Sequence, residues 1–341
     1  MVESSIQPTM SAPNDRLTEL GWTPFFSAQV STGADAGLCP VRVMAVHRGK
    51  IAVAGAAGDR LISPHIADAP DEESHATVGD WLLIDEATSQ IARILHRANV
   101  FKRRTPGNVR KTQLIAANVD TLFIVASCNQ DFNLARLERY LVLAREVGVT
   151  PVIVLTKVDK TDTAETYAEA ARGLQPGLHV ETVNAKDAQS VARLAAWCGP
   201  GKTVALLGSS GVGKSTLIKT LTGLAAIATQ AVREADGKGR HTTTVREMHR
   251  LAQGGWLMDT PGMRELHLSD ADEGLADVFD DIVMLAQQCR FSNCGHGAEP
   301  GCAVQAGLAD GTLDPVRFAR WQKLTAEEAA NAARGKRRSR T

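Results

Sequence analysis

No apolar run in this chain of 341 residues approaches the roughly 20 that a membrane-spanning helix needs. The opening Met1–Asn14 is polar, carries Pro8 and Pro13, and lacks the basic start and apolar stretch of a secretory signal. The expectation is a cytoplasmic protein with no membrane partner. Net charge is missing too, since 38 Lys plus Arg balance 38 Asp plus Glu. That excludes a uniformly basic coat for nucleic acid but leaves room for local asymmetry. Nor do the cysteines form a disulfide framework. Cys39, Cys128 and Cys198 are scattered, whereas Cys289, Cys294 and Cys302 cluster with His296, a pattern of metal chemistry.

What is present is ordinary globular composition, 44% hydrophobic and 22% charged, which excludes disorder throughout. The length favours two or three domains. Charge is unevenly spread. From Ala87 to Val119 there is no acid, yet Arg93, Arg97, Lys102, Arg103, Arg104, Arg110 and Lys111 lie there. The last eight residues hold Arg334, Lys336, Arg337, Arg338 and Arg340, while acids gather at Asp270–Asp281.

Residues 1–35 are expected to be a flexible extension whose one ordered candidate, Arg16–Gln29, presents Leu17, Leu20, Trp22, Phe25 and Phe26. Val41 to Leu95 reads as short strands with Gly turns at Arg48-Gly49-Lys50 and Val78-Gly79-Asp80, a small barrel or sandwich. From Val119 strands and helices alternate. Strands are expected at Thr121–Ala126, Pro151–Leu155, Leu178–Val183, Thr203–Leu207 and Trp256–Met258. Helices are expected at Leu134–Val147, Thr163–Leu174, Ala188–Cys198, around Leu217–Leu221 and at Asp314–Ala333. This alternation predicts a parallel sheet covered by helices.

The strongest chemical signal is Gly208-Ser209-Ser210-Gly211-Val212-Gly213-Lys214-Ser215, followed by Thr216. It has phosphate-loop spacing, after a strand and before a helix. Glycines let backbone N–H groups curl around phosphate oxygens, and the helix N-terminus adds partial positive charge. Lys214 reaches the β- and γ-phosphates and Ser215 ligates magnesium. Asp259-Thr260-Pro261-Gly262 follows a strand and offers a carboxylate for magnesium and the Gly262 N–H for the γ-phosphate. Thr156-Lys157-Val158-Asp159 supplies base selection. The Asp159 carboxylate accepts two hydrogen bonds from guanine and is left underpaired by adenine, while the Lys157 stem lies along the base. Position 156 is usually Asn in this motif, so Thr is expected to hold the loop less firmly. Asn184-Ala185-Lys186 offers a backbone N–H to the guanine oxygen. Gly239-Arg240-His241-Thr242-Thr243-Thr244 has the place of a switch segment, with Thr242 or Thr243 toward magnesium and the γ-phosphate and His241 toward the attacking water.

The order of these motifs is permuted. The base-selecting segments precede the phosphate loop, and Asp259–Gly262 comes last. After it, Cys289-x4-Cys294-x-His296-x5-Cys302 forms a closed tetrahedral set for one structural zinc. The permuted order, the β domain before it and this finger resemble the RsgA (YjeQ) family of small-subunit biogenesis GTPases, from about Leu20 to Leu324. Leu20–Phe26 and Ile115–Asp120 share in the likeness. The resemblance implies a multidomain chain: an OB-fold β-barrel for RNA over 36–110, a permuted α/β P-loop GTPase domain over 111–270, and a helical zinc-binding domain with a basic tail over 271–341. It further implies a monomer that binds GTP/GDP with magnesium, binds the immature 30S subunit and its rRNA, and leaves on hydrolysis. The usual glutamine after Asp-x-x-Gly is absent, and Met263 in its place cannot orient a water, so turnover alone should be slow. A nucleotide-regulated RNA-binding module with incidental hydrolysis has the same residues. A metabolic kinase is disfavoured by Thr156–Asp159.

Overall fold

The computed structural model of the chain describes residues 13–66, 74–104, 112–223, 246–259 and 272–338. Its strands are β1 Leu38–His47, β2 Lys50–Gly55, β3 Gly58–Ile62, β4 Trp81–Asp85, β5 Ile91–Ile94, β6 Val100–Arg104, β7 Thr112–Ala117, β8 Thr121–Ser127, β9 Thr150–Thr156, β10 His179–Thr182, β11 Thr203–Leu207, β12 Arg246–Arg250 and β13 Trp256–Asp259. The chain divides into two compact units that interleave in sequence. One contains Met1–Thr121, Ala185–Leu206 and Ser215–Glu265; the other contains Leu122–Asn184, Leu207–Lys214 and Leu266–Thr341.

In the first unit β1 pairs antiparallel with β2 along one edge. Its other edge serves β4 over Leu38–Arg42 and β12 over Ala45–Val46. A register shift between Val43 and Ala45 lets one strand turn from one partner to the other. β3 adds to β2 and β5 to β4, while β12 joins antiparallel to β13, which runs parallel to β11. Alternation sends Val41, Val43, Ile51, Val53, Leu82 and Ile84 into one core. Trp81, Leu83 and Ala54 face the other way, under Leu17, Leu20 and Phe26.

That second core takes in the ordered candidate of the N-terminal segment, Arg16–Gln29, whose Leu17, Leu20 and Phe26 dock on it. Helices Pro13–Glu19 and Pro24–Ser27 deliver its lid. The uninterrupted apolar run Trp81–Ile84 needs cover on both faces, and burying each lid side chain contributes about 1.5–3 kcal/mol. Between the layers lies Arg42, 2% exposed, donating to Leu20 O and Asn118 O with its guanidinium 5.9 Å from the Trp81 ring. Burial pushes its pKa down to about 10, against the pull of Asp120 and Asp80. Gly79 has φ +89°, and a Cβ there would lie 2.1 Å from Ala117 O, so only glycine fits this approach.

β6 and β7 pair antiparallel with each other, and the 110/111 boundary expected from sequence lies between them, outside the described residues. The expected helix Ala188–Cys198 is one α-turn, Ala188–Val191, tightening into a 3-10 stretch Ala192–Trp197. β3, β6, β7 and β12 were not legible as strands. Arg246-Glu247-Met248-His249-Arg250 carries one buried apolar side chain, too little for a periodic signal.

The second unit carries the order β10-β9-β8, with β10 and β9 parallel. The helix Leu134–Val147 starts at Asn133, whose side chain accepts from Arg136 N, and stops at left-handed Gly148. Against it packs Asp272–Val278; Gly274 comes so near that a Cβ would stand 2.3 Å from Val142 O. The C-terminal helix Pro315–Arg338 is tied to the same element. Glu138, fully buried, accepts from Arg320 at 2.6 Å and lies 3.5 Å from Arg317, which also grips Asp281 at 2.8 and 2.9 Å. Burial raises the Glu138 pKa, and the two guanidiniums oppose that rise. Among the described residues no helix is long and apolar enough to cross a membrane.

Candidate nucleotide site and metal cluster

β11 ends at Leu207 and the chain turns at Gly208, where an added Cβ would meet Val125 O at 2.3 Å. Gly211 and Gly213 also have positive φ, +79° and +97°. Lys214 then opens the helix Lys214–Thr222. Its ammonium donates to Gly208 O at 2.6 Å and to Ser209 O, so the loop is closed over its own lysine. Ser210, Gly211 and Ser215 are exposed, Ser209, Gly213 and Thr216 are half-buried, and Val212 is buried as the loop's anchor. The strand-loop-helix context expected for residues 208–216 is therefore present.

Thr156 closes β9, fully buried. Its hydroxyl lies on Val212 O and 3.2 Å from Ala126 O. Loss of the Asn amide was expected to loosen this segment, but the hydroxyl itself reaches the phosphate loop. Lys157 takes left-handed backbone, φ 61°, and a 3-10 turn Val158–Lys160 presents Asp159 to solvent. The Asn184-Ala185-Lys186 segment follows β10, and Ala185 O accepts from Thr220 Oγ1 at 2.6 Å. Asp259 ends β13, beside β11 in the first unit's sheet. His241, Thr242, Thr243, Gly262 and Met263 lie outside the described residues.

Sequence reasoning missed Arg136. From the first turn of its helix it donates to Ser209 Oγ at 2.7 Å. No local pattern marks it, because the contact joins residues 73 apart. The basic stretch also reads differently in three dimensions. Arg97 grips the fully buried Asp80 at 2.8 and 2.9 Å. Arg93 takes Asp35 at 3.1 and 2.8 Å. Burial raises the Asp80 pKa against the pull of Arg97, whereas the hydrogen bond from Arg93 holds Asp35 below the usual carboxylate range.

Cys289, Cys294, His296 and Cys302 offer ligand atoms all within 4.8 Å of one another. Cys289 Sγ is 3.6 Å from His296 Nδ1 and 3.9 Å from Cys302 Sγ, and Cys302 Sγ is 3.7 Å from that nitrogen. Ordinary bond lengths to a tetrahedral ion give edges of about 3.8 Å between sulfurs and about 3.6 Å from sulfur to nitrogen. The donor set therefore fits such an ion. His296 is turned inward by left-handed backbone, φ 56°, and Gln305 Nε2 holds its carbonyl at 2.6 Å.

A profile of the family described as RsgA GTPase matches residues 94–269. A small ribosomal subunit biogenesis GTPase RsgA of Mesorhizobium japonicum is 49% identical, covering 97% of this chain and 98% of the relative. The chain belongs to the RsgA GTPase family. Another relative, the small ribosomal subunit biogenesis GTPase RsgA 2 of Vibrio parahaemolyticus, is 46% identical over 95% of this chain and 89% of its own length. Among solved structures, YjeQ from Thermotoga maritima aligns with a TM-score of 0.61 at 23% identity, over 85% of this chain and 98% of that one. YloQ, titled a circularly permuted GTPase, aligns with a TM-score of 0.60 at 24% identity, over 87% and 97%. The fold is thus that of the permuted GTPases, and this RsgA-family chain is a GTPase.

Proposed function

We propose that this chain binds the immature small ribosomal subunit, assists its late maturation and leaves when the subunit stimulates GTP hydrolysis. The relatives' names supply the partner. The observation that carries the reading is the hydrogen bond from Thr156 to Val212, which joins base-selecting segment and phosphate loop despite their reversed order. Lys214 and the N–H groups of Gly208–Thr216 hold the phosphates. Asp159 selects guanine, with Lys157 along the base and Asn184–Lys186 at its oxygen. Ser215, Thr242 or Thr243 and Asp259 hold magnesium, which when bound neutralises phosphate charge. Gly262 meets the γ-phosphate, and His241 positions the water that Met263 cannot. Water attacks the γ-phosphorus, its bond to the bridging oxygen breaks, and GDP leaves with phosphate.

Residues 36–110 are assigned to an OB-fold, supported by the strand order β3-β2-β1-β4-β5, 111–270 to the GTPase domain and 271–341 to a zinc-binding domain. One zinc on the Cys3His set is structural, because four ligands leave no open position. A ribosomal partner places the protein in the cytoplasm. The test is GTP turnover with and without 30S subunits. Turnover should be slow alone and rise at least tenfold with subunits; equal rates would remove the proposal.

A further inference from the structure

The helices Leu134–Val147 and Pro315–Arg338 line an open cleft of about 240 Å³, with Asn133, Arg136, Arg139, Arg320, Lys323 and Leu324 on its wall. Four of these side chains are cations. Two are committed: Arg139 takes both oxygens of Glu327 at 2.5 Å, and Arg320 takes Glu138 at 2.6 Å. Glu138 is shared with Arg317, which also holds Asp281. Glu327 and Glu138 are thus already engaged. Among the described residues Arg136 and Lys323 have no carboxylate partner; Arg136 is half-buried and Lys323 exposed at the mouth. Gathered like charges repel unless an anion sits among them.

The chemistry narrows that anion. The cavity is smaller than the roughly 300–1,000 Å³ of a small-molecule cleft. Among the described residues its wall has no aromatic side chain on which a base could stack. It suits a phosphate presented without its base, as a nucleic-acid backbone presents one.

Resting on the small-subunit reading above, we propose that this cavity receives a backbone phosphate of the subunit's RNA, held by Lys323 and Arg136. Arg136 relays the contact to the nucleotide. Arg136, whose side chain lines the cavity, also donates to Ser209 Oγ in the phosphate loop, and its five N–H donors leave others for a phosphate.

The test uses the full chain with a non-hydrolysable GTP analogue and purified 30S subunits, co-sedimented over a salt series. Lys323→Gln should lower the slope of log affinity against log salt by about one, with binding several-fold weaker at moderate salt. Its affinity for a fluorescent GDP should stay at wild type. Arg136→Gln should lose the same slope and, at saturating subunits, also lose stimulated turnover. A benzophenone amino acid at position 323 should cross-link to RNA. Wild-type affinity and slope in both Lys323→Gln and Lys323→Glu, or a cross-link to ribosomal protein alone, would overturn the proposal while leaving the small-subunit reading intact. Failure of the wild-type chain itself to pellet with subunits would instead remove that reading, and this site with it.

Discussion

Thr156 has traded an amide for a hydroxyl without giving up its connection to the phosphate loop. Thr156→Val keeps the shape and removes that tie from a fully buried position. It should cost about 1–2 kcal/mol of stability and weaken GDP binding several-fold, as read by chemical denaturation and fluorescent-nucleotide titration. Arg97 makes a second residue-scale case. It pairs with an Asp80 that has no access to water. Arg97→Gln leaves that carboxylate buried without its cation and should destabilise by about 3 kcal/mol. Its folded pKa, already raised by burial, should rise further. Stability lost by the variant should therefore return in part as pH falls through the raised folded pKa to the ordinary Asp range, with no further gain below it, where both states are protonated. Thermal melts of both proteins between pH 4 and pH 8 check the sign.

At the scale of elements, the metal loop between helices Asp280–Ala286 and Ala303–Asp310 has little apolar content of its own. Phe291, within it, is 42% exposed. Its order must come from the ligands, so metal affinity becomes folding energy. The chain should carry one equivalent of zinc by elemental analysis. Cys294→Ser should lower that content and the melting temperature, while hydrogen exchange quickens around Cys289–Cys302. A zinc-free protein with unchanged exchange would rule out the structural role. The helix Leu134–Val147 should be less affected, since Asn133, Gly148 and the Glu138 ion pairs hold it without metal.

For the whole molecule the question is which cations face the ribosome. The acid-free stretch offers seven, but Arg93 and Arg97 are spent on acids from elsewhere in the chain. Lys102 and Arg103 stand on β6, in a hairpin. Replacing Lys102, Arg103 and Arg104 by Gln should lower the salt slope of 30S binding by two to three and reduce stimulated turnover, with nucleotide affinity intact. Arg93→Gln should leave the slope near wild type. Co-sedimentation at two salt concentrations separates the two outcomes.

Candidate chemistry is most legible in sequence where a function uses contiguous residues. A phosphate loop must be one unbroken turn between a strand and a helix, and here the four candidate metal ligands share one short loop, so both 208–216 and 289–302 could be read as candidate sites. Helix Leu134–Val147 was legible because its buried face recurs at the helical period, and strands β8, β9 and β11 because each is a short, largely apolar run buried on both faces. Polar strands such as β12 were not, because backbone pairing leaves no mark on side chains. The order of motifs along the chain fixed the permutation. Tertiary structure alone decided which acids Arg93 and Arg97 take, where Arg136 reaches, and that the N-terminal helices cover Trp81. Each of these joins residues far apart in sequence, and a one-dimensional pattern carries no distance between them.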